Sequence, residues 1–165
     1  MQTLPDGAFD ACRCERVLMH VDGDPARGID EMARVTCPGG RIVILDLDWD
    51  TLLIDHPEQA ITRMIVHAVC DGIRNGRIGS QLPRLMSDAG LVDVLFQSRV
   101  VPLTHSFLHR MLDGHLTRAQ KEDRLDGVDV AERWRALDEA ESRGQFTAVL
   151  VAFITSGEVP TSSSA

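Results

Sequence analysis

The sequence predicts an α/β layered sheet of about four strands, and three observations carry that reading. Apolar segments follow the order strand, helix, strand, long helical connection, strand, helices, strand, an alternation typical of layered α/β folds. Ile42-Val43-Ile44-Leu45 is apolar on both faces, as a parallel strand covered by helices on each side should be, and Phe146 to Thr155 repeats that pattern. Between them Ala60, Ile61, Met64, Ile65, Ala68, Val69 and Ile73 keep the helical period. A chain of 165 residues, 44% hydrophobic, has the length and apolar content for a single core.

The elements follow from local chemistry. Pro5-Asp6-Gly7 is a turn signal, and Phe9 to Cys14 after it is a short strand. Asp24 before Pro25 has the arrangement of an N-cap and a first helical proline, and Ile29, Met32 and Ala33 give that helix one apolar face. Pro38-Gly39-Gly40 is expected to end the helix in a turn, because proline disfavours helical geometry in the residue before it. Asp46 to His56 reads as a loop, and Pro57 opens the long helix. A short helix is expected from about Gln81 to Ala89 with Gly90 as its C-terminal cap. Val94 to Thr104 is a strand whose Pro102 confines its end to an edge or a bulge. Two or three helical pieces span Phe107 to Ser142, the last capped by Asp129 with Ala131, Trp134 and Leu137 inward. Residues 1–159 form the domain, and the Ser- and Thr-rich end, 160–165, reads as a disordered tail.

Charge and cysteines narrow the partners. With 17 basic against 25 acidic residues the net charge is -8, which repels phosphate and opposes a general nucleic-acid or anionic-membrane role. A small molecule or a protein fits better. Cys12, Cys14, Cys37 and Cys70 show no repeating pair spacing, so a reducing, cytoplasmic setting is expected. Cys12-x-Cys14 is read as two free thiols that diverge, and no metal site is expected because no further ligands stand at finger-like spacing. Asp46, Asp48 and Asp50 resemble the start of a calcium loop, but the glycine and terminal glutamate it needs are missing.

Four pieces in order carry a resemblance: LPDGAFDA leading into the first strand, CERVLMHV just after it, ARGIDEMARVTCPGG as helix and turn, and RIVILD as the second strand. Together they resemble the second half of a class I S-adenosylmethionine-dependent methyltransferase, in the small-molecule branch similar to the ubiquinone/menaquinone-biosynthesis enzymes. The resemblance implies a partial Rossmann-like methyltransferase fold, with the last strand antiparallel and inserted beside its predecessor, and helices on both faces. It covers nearly the whole chain. The Gly-rich turn and the acidic ribose-binding residue of the family do not occur in the sequence, so the expectation is a truncated domain whose catalysis alone is doubtful.

The resemblance also assigns residues. Arg13, Cys14 and Glu15 would line the methionine side of the cofactor at the carboxyl end of a strand, where ligands of open α/β sheets bind. Glu15 can equally start a helix, where its charge suits the dipole. His20 matches a family histidine and is either a proton acceptor or a structural hydrogen-bonder. Asp46, Trp49 and Asp50, with His56 beyond, would form part of the acceptor pocket. Its carboxylates and indole face could hold a cationic acceptor or the sulfonium, with Asp48 as a general base. The bland reading has Asp48 and Asp50 solvated and Trp49 packed under the next helix. The function expected is methyl transfer from S-adenosylmethionine to a small-molecule acceptor. The alternative is an inactive interaction module, a homodimer or a partner chain covering the exposed strand edge.

Overall fold

The computed structural model of the protein describes residues 4–125 and 127–161. Along the chain stand β1 (Phe9–Glu15), a 3-10 turn (Leu18–His20), α1 (Ala26–Val35), β2 (Thr36–Ile54), α2 (Gln59–Gly72), α3 (Ile78–Asp88), β3 (Val92–Pro102), α4 (His105–Lys121), α5 (Val130–Ser142) and β4 (Ala148–Glu158). The sheet order is β1-β2-β4-β3. β1 runs parallel to β2, while β4 is antiparallel to both of its neighbours. This is the mixed Rossmann-like sheet expected, with the last strand inserted between its two predecessors. Residues 162–165 of the expected disordered tail lie outside the described residues.

Several boundaries differ from the sequence reading. The Pro38-Gly39-Gly40 segment is no turn between elements: α1 stops at Val35, and β2 begins at Thr36. The register passes from Phe9 opposite Thr36 to Ala11 opposite Arg41, so residues 37–40 bulge out of the ladder. Gly40 is required there, because a Cβ would lie 2.8 Å from the Asp10 carbonyl oxygen. The expected loop from Asp46 is likewise strand as far as Ile54, broken where Asp48 pairs with Val151 and Leu53 with Val149. Residues 49–52 form this second bulge.

The thiols of Cys12 and Cys14 do not diverge. Residues two apart on a strand share a face, and the two cysteines stand opposite Ile42 and Ile44, packed half-buried against the core. All four cysteines are free.

Cover over the two sheet faces is unequal. On β2 the residues Ile42, Ile44, Asp46 and Asp48 are buried, whereas Val43, Leu45 and Leu47 are only half-buried. α3 lies on the first face, where a Cβ at Gly79 would touch the Phe153 ring and the Asp48 backbone. α2 buries Thr62, Ile65, Val66 and Val69, while the expected core residue Met64 is exposed. On α5 the sequence placed Ala131, Trp134 and Leu137 inward; Leu137 and Arg133 are buried, and Ala131 is exposed. Asp129 caps α5 as expected, its carboxylate accepting from Glu132 N at 2.9 Å.

Candidate functional site

β1 ends at Glu15 opposite Leu45 while β2 runs on to Ile54, and the residues singled out from sequence lie along that stretch in separate groups. At the end of β1, Arg13 and Glu15 pair with each other at the surface. Cys14 faces inward, and burial together with the nearby Asp46 carboxylate pushes its thiol up, which keeps it protonated at neutral pH. The strand is closed by Arg16 N donating to Leu45 O at 2.8 Å.

The 3-10 turn that follows carries His20 outward on an anchored backbone. Asn75 Nδ2 donates to Leu18 O at 2.9 Å and to Val21 O at 3.0 Å, and Asn75 N donates to Met19 O at 3.2 Å. Asp46 is fully buried beneath it, accepting from Met19 N and Leu47 N at 3.3 and 3.0 Å. Burial raises the Asp46 carboxyl above its ordinary range, with the backbone donors acting against that shift. Trp49, in the second bulge, is buried and directs its Nε1 at Met19 Sδ, 3.5 Å away. Its ring centroid lies 6.1 Å from that of His115 on α4.

His20, Trp49, Gly72, Ile73, Arg74 and His115 enclose a cleft of about 290 Å³. Two imidazoles and an indole on its walls suit a flat organic molecule, and the exposed His20 can exchange a proton with it. The remaining candidates lie elsewhere. Asp48 accepts from Asp50 N at 3.1 Å and from Ser80 N at 3.2 Å, so both its oxygens hold backbone donors. Asp50 pairs with Arg77 at 2.7 Å, which holds its carboxyl below the usual range. His56 is buried against Arg133 of α5, in a different pocket.

His115 and Arg133 escaped the sequence reading, although a signal existed. His115 follows Leu108 and Leu112 and precedes Ala119 on the stripe of α4. Arg133 follows Val130 and precedes Leu137 on that of α5. A charged or titratable group inside an apolar stripe is the mark that could have found both.

His56 and His115 imply a pH dependence. Burial lowers both imidazoles from the ordinary value near ~6.5, so each is held neutral in the fold while the unfolded chain takes up protons first. Their contribution is present above about pH 6.5 and is lost as pH falls toward the lowered folded values. Asp46, with a raised folded value, acts in the opposite sense in a window that opens near pH ~4. We expect the thermal midpoint to fall between pH 7.5 and pH 5.5, about one unit either side of the ordinary histidine value. The His115→Gln variant should show a smaller fall in the same melting series.

Whether the site holds S-adenosylmethionine can be tested on the residues present. A cofactor of that kind needs backbone approach at a glycine turn and an acidic partner for its ribose. Among the described residues no glycine follows β1 directly, and Glu15 is already paired with Arg13. The residues at the strand ends therefore do not by themselves fit the methionine and ribose groups. No cluster of metal-ligating side chains occurs among the described residues, and no helix among them is long and apolar enough to cross a membrane.

Comparison with known proteins bears on the fold. The family described as Methyltransferase domain matches residues 1–44, which include β1, the 3-10 turn, α1 and the start of β2. A 37.1 kDa protein of transposon Tn4556 from Streptomyces fradiae is 46% identical over 110 residues, covering 65% of this chain and 30% of that protein. The ubiquinone/menaquinone biosynthesis C-methyltransferase UbiE of Bdellovibrio bacteriovorus is 44% identical over 41 residues, 25% of this chain and 17% of the enzyme. The chain thus spans less than a third of the length of the curated relatives it matches. Among solved structures, the YcgJ protein of Bacillus subtilis superposes with a TM-score of 0.55 at 17% identity, over 98% of this chain and 68% of that one. A candidate methyltransferase of Bacillus halodurans gives 0.54 at 14% identity, over 98% and 74%. The fold is the Rossmann-like α/β fold of these proteins, and residues 1–44 are similar to the methyltransferase domain.

Proposed function

We propose that the chain supplies the acceptor side of an S-adenosylmethionine-dependent methyltransferase that acts on a small molecule. The observation that carries this reading is the cleft beyond the carboxyl end of β1, beside the second bulge of β2, one wall of which, His20, lies within the segment matching the methyltransferase family. Methyl transfer asks for alignment and exclusion of water more than for covalent help from protein. In this reading Trp49 and His115 pack the acceptor's flat face, and His20 takes the proton that leaves it. Asp46 fixes the turn beneath through its bonds to the backbone. Arg13, Cys14 and Glu15 border the cofactor on one side only.

A second reading is favoured by a separate observation. The outer edge of β1 pairs with no strand among the described residues, and Phe9 on it is 41% exposed. An unpaired edge is a template for another chain, so the fold also suits a methyltransferase-like interaction module that binds a second copy or a partner.

Calorimetric titration of S-adenosylmethionine into the chain, with the solution mass recorded, separates the two. Saturable binding supports methyl transfer, and because the strand ends of one copy do not fit the cofactor by themselves it is expected only where a second copy or a partner completes the site. A folded chain that gives no binding heat and has the mass of two copies supports the interaction module.

A further inference from the structure

The chain carries a net charge of -8, yet among the described residues no carboxylate lines the cleft that holds His20, Trp49 and His115. Basic groups surround it instead. Burial, and after it the nearby Arg118, His20 and Arg124, hold the His115 imidazole below its ordinary value. Arg74, on the cleft wall, pairs with the exposed Asp22. Arg118 and Arg124 differ from it, because both hold the one Glu122 carboxylate, each at 2.7 Å. Two guanidiniums against one carboxylate leave a surplus of one positive charge beside the cleft.

Gly72 brings this charge and His115 to a common point. It is the last residue of α2 and lines the cleft. A Cβ built on it would stand 3.4 Å from Arg124 Nη2, 3.8 Å from Arg124 Nη1 and 3.8 Å from His115 Nδ1. With no side chain at that position, the end of the guanidinium faces the cleft wall uncovered. Arg124 also has hydrogens left to give. Its Nε donates to Glu122 at 2.9 Å, with Nη2 2.7 Å from the same oxygen, and its Nη1 donates to Ala68 O at 2.7 Å. A further N–H remains on each Nη, and a planar fork of that kind recognises a carboxylate by shape as well as charge. The single surplus charge suits a carboxylate better than a doubly charged phosphate.

We propose that the acceptor taken by this cleft is an aromatic carboxylate, its carboxylate held at Gly72 by Arg124 beside His115 and its ring against Trp49. The inference rests on reading the cleft as the acceptor side, and it makes Arg124 the residue that selects among acceptors.

Benzoate is the probe and benzamide its neutral isostere, both titrated into the unmodified chain at neutral pH without cofactor and followed by NMR of the imidazole Cε1–H resonances. Those of His20 and His115 are identified by their loss in His20→Gln and His115→Gln. Benzoate is expected to saturate, to shift both resonances and to bind about tenfold more tightly than benzamide, the worth of one charge-assisted hydrogen bond. Arg124→Gln should bring the two ligands to equal affinity, whereas Arg124→Lys should keep part of the preference. Gly72→Ala, whose methyl meets nothing closer than 3.4 Å, should fold and reduce the preference by covering the guanidinium; it decides if Arg124→Gln does not fold. Equal affinity of the two ligands for the unmodified chain, with both imidazoles shifted, would overturn the carboxylate and leave the cleft as an acceptor site. A preference that survives both substitutions would overturn the role of Arg124. Imidazoles unmoved at the solubility limit of both ligands would remove the acceptor site and this inference together. Because no cofactor is present, a failure to bind S-adenosylmethionine leaves each of these outcomes readable.

Discussion

Replacing Asp48 with alanine is expected to destabilise the chain by about 1–3 kcal/mol, because two part-buried backbone donors then lose their acceptor, at roughly 0.5–1.5 kcal/mol each. The side chain is 3% exposed, and it bonds Asp50 N inside the second bulge of β2 and Ser80 N in the first turn of α3. The first N–H groups of a helix have no partner within it, so Asp48 does for α3 what a capping residue does, from a neighbouring strand. Its negative charge also suits the helix N-terminus. Asp48→Asn keeps one acceptor oxygen and should lose less than half as much. Urea unfolding of the three proteins checks the ranking. A general base with no structural duty would behave differently, since its removal would leave the unfolding midpoint in place and lower activity alone. A midpoint unchanged in Asp48→Ala would show that the two bonds contribute nothing and would return Asp48 to the acceptor site.

The same residue shows where sequence reading stops. Ile42 to Leu45 was legible as a strand because each of its residues is apolar, and no other element of that length and composition competes. Asp46-Leu47-Asp48-Trp49-Asp50 read as loop because alternating carboxylates suit strands poorly. They continue the strand because the buried face meets backbone donors: the turn at Met19 for Asp46 and the start of α3 for Asp48. Those donors come from residues 27 positions before and 32 after, a distance no local pattern reports. Pro38-Gly39-Gly40 misled for a related reason. Glycine and proline mark an interruption of hydrogen bonding, and a bulge interrupts it as well as a turn does. The capping of α5 by Asp129 was legible, being local chemistry. The gathering of His20, Trp49 and His115 around one cleft was legible only in part. The resemblance named the first two, while the third arrives through the packing of α4 against α2.

Gly79→Ala is expected to cost about 1–3 kcal/mol, the usual penalty for adding volume to a close-packed contact. An added Cβ would stand 2.7 Å from Phe153 Cδ2, 3.0 Å from the Leu47 carbonyl carbon and 3.1 Å from Asp48 N. The ring could turn aside only by leaving its stack on Phe96, whose centroid is 5.4 Å away. The two backbone atoms belong to β2 and cannot yield without moving the strand or lifting α3. Lifting α3 would draw Ser80 N off Asp48, so the cost of the methyl adds to part of the cost of the lost bond, and Gly79→Ala with Asp48→Ala should cost less than their sum. Gly114→Ala supplies the control. That glycine lies within α4 with nothing within 4 Å of an added Cβ, so the same methyl should stabilise the chain by about 0.5–1 kcal/mol through helix propensity. Urea midpoints moving in opposite directions for the two glycines would place α3 directly on the β2 backbone. A Gly79→Ala midpoint at or above that of the parent would mean that α3 stands off the sheet.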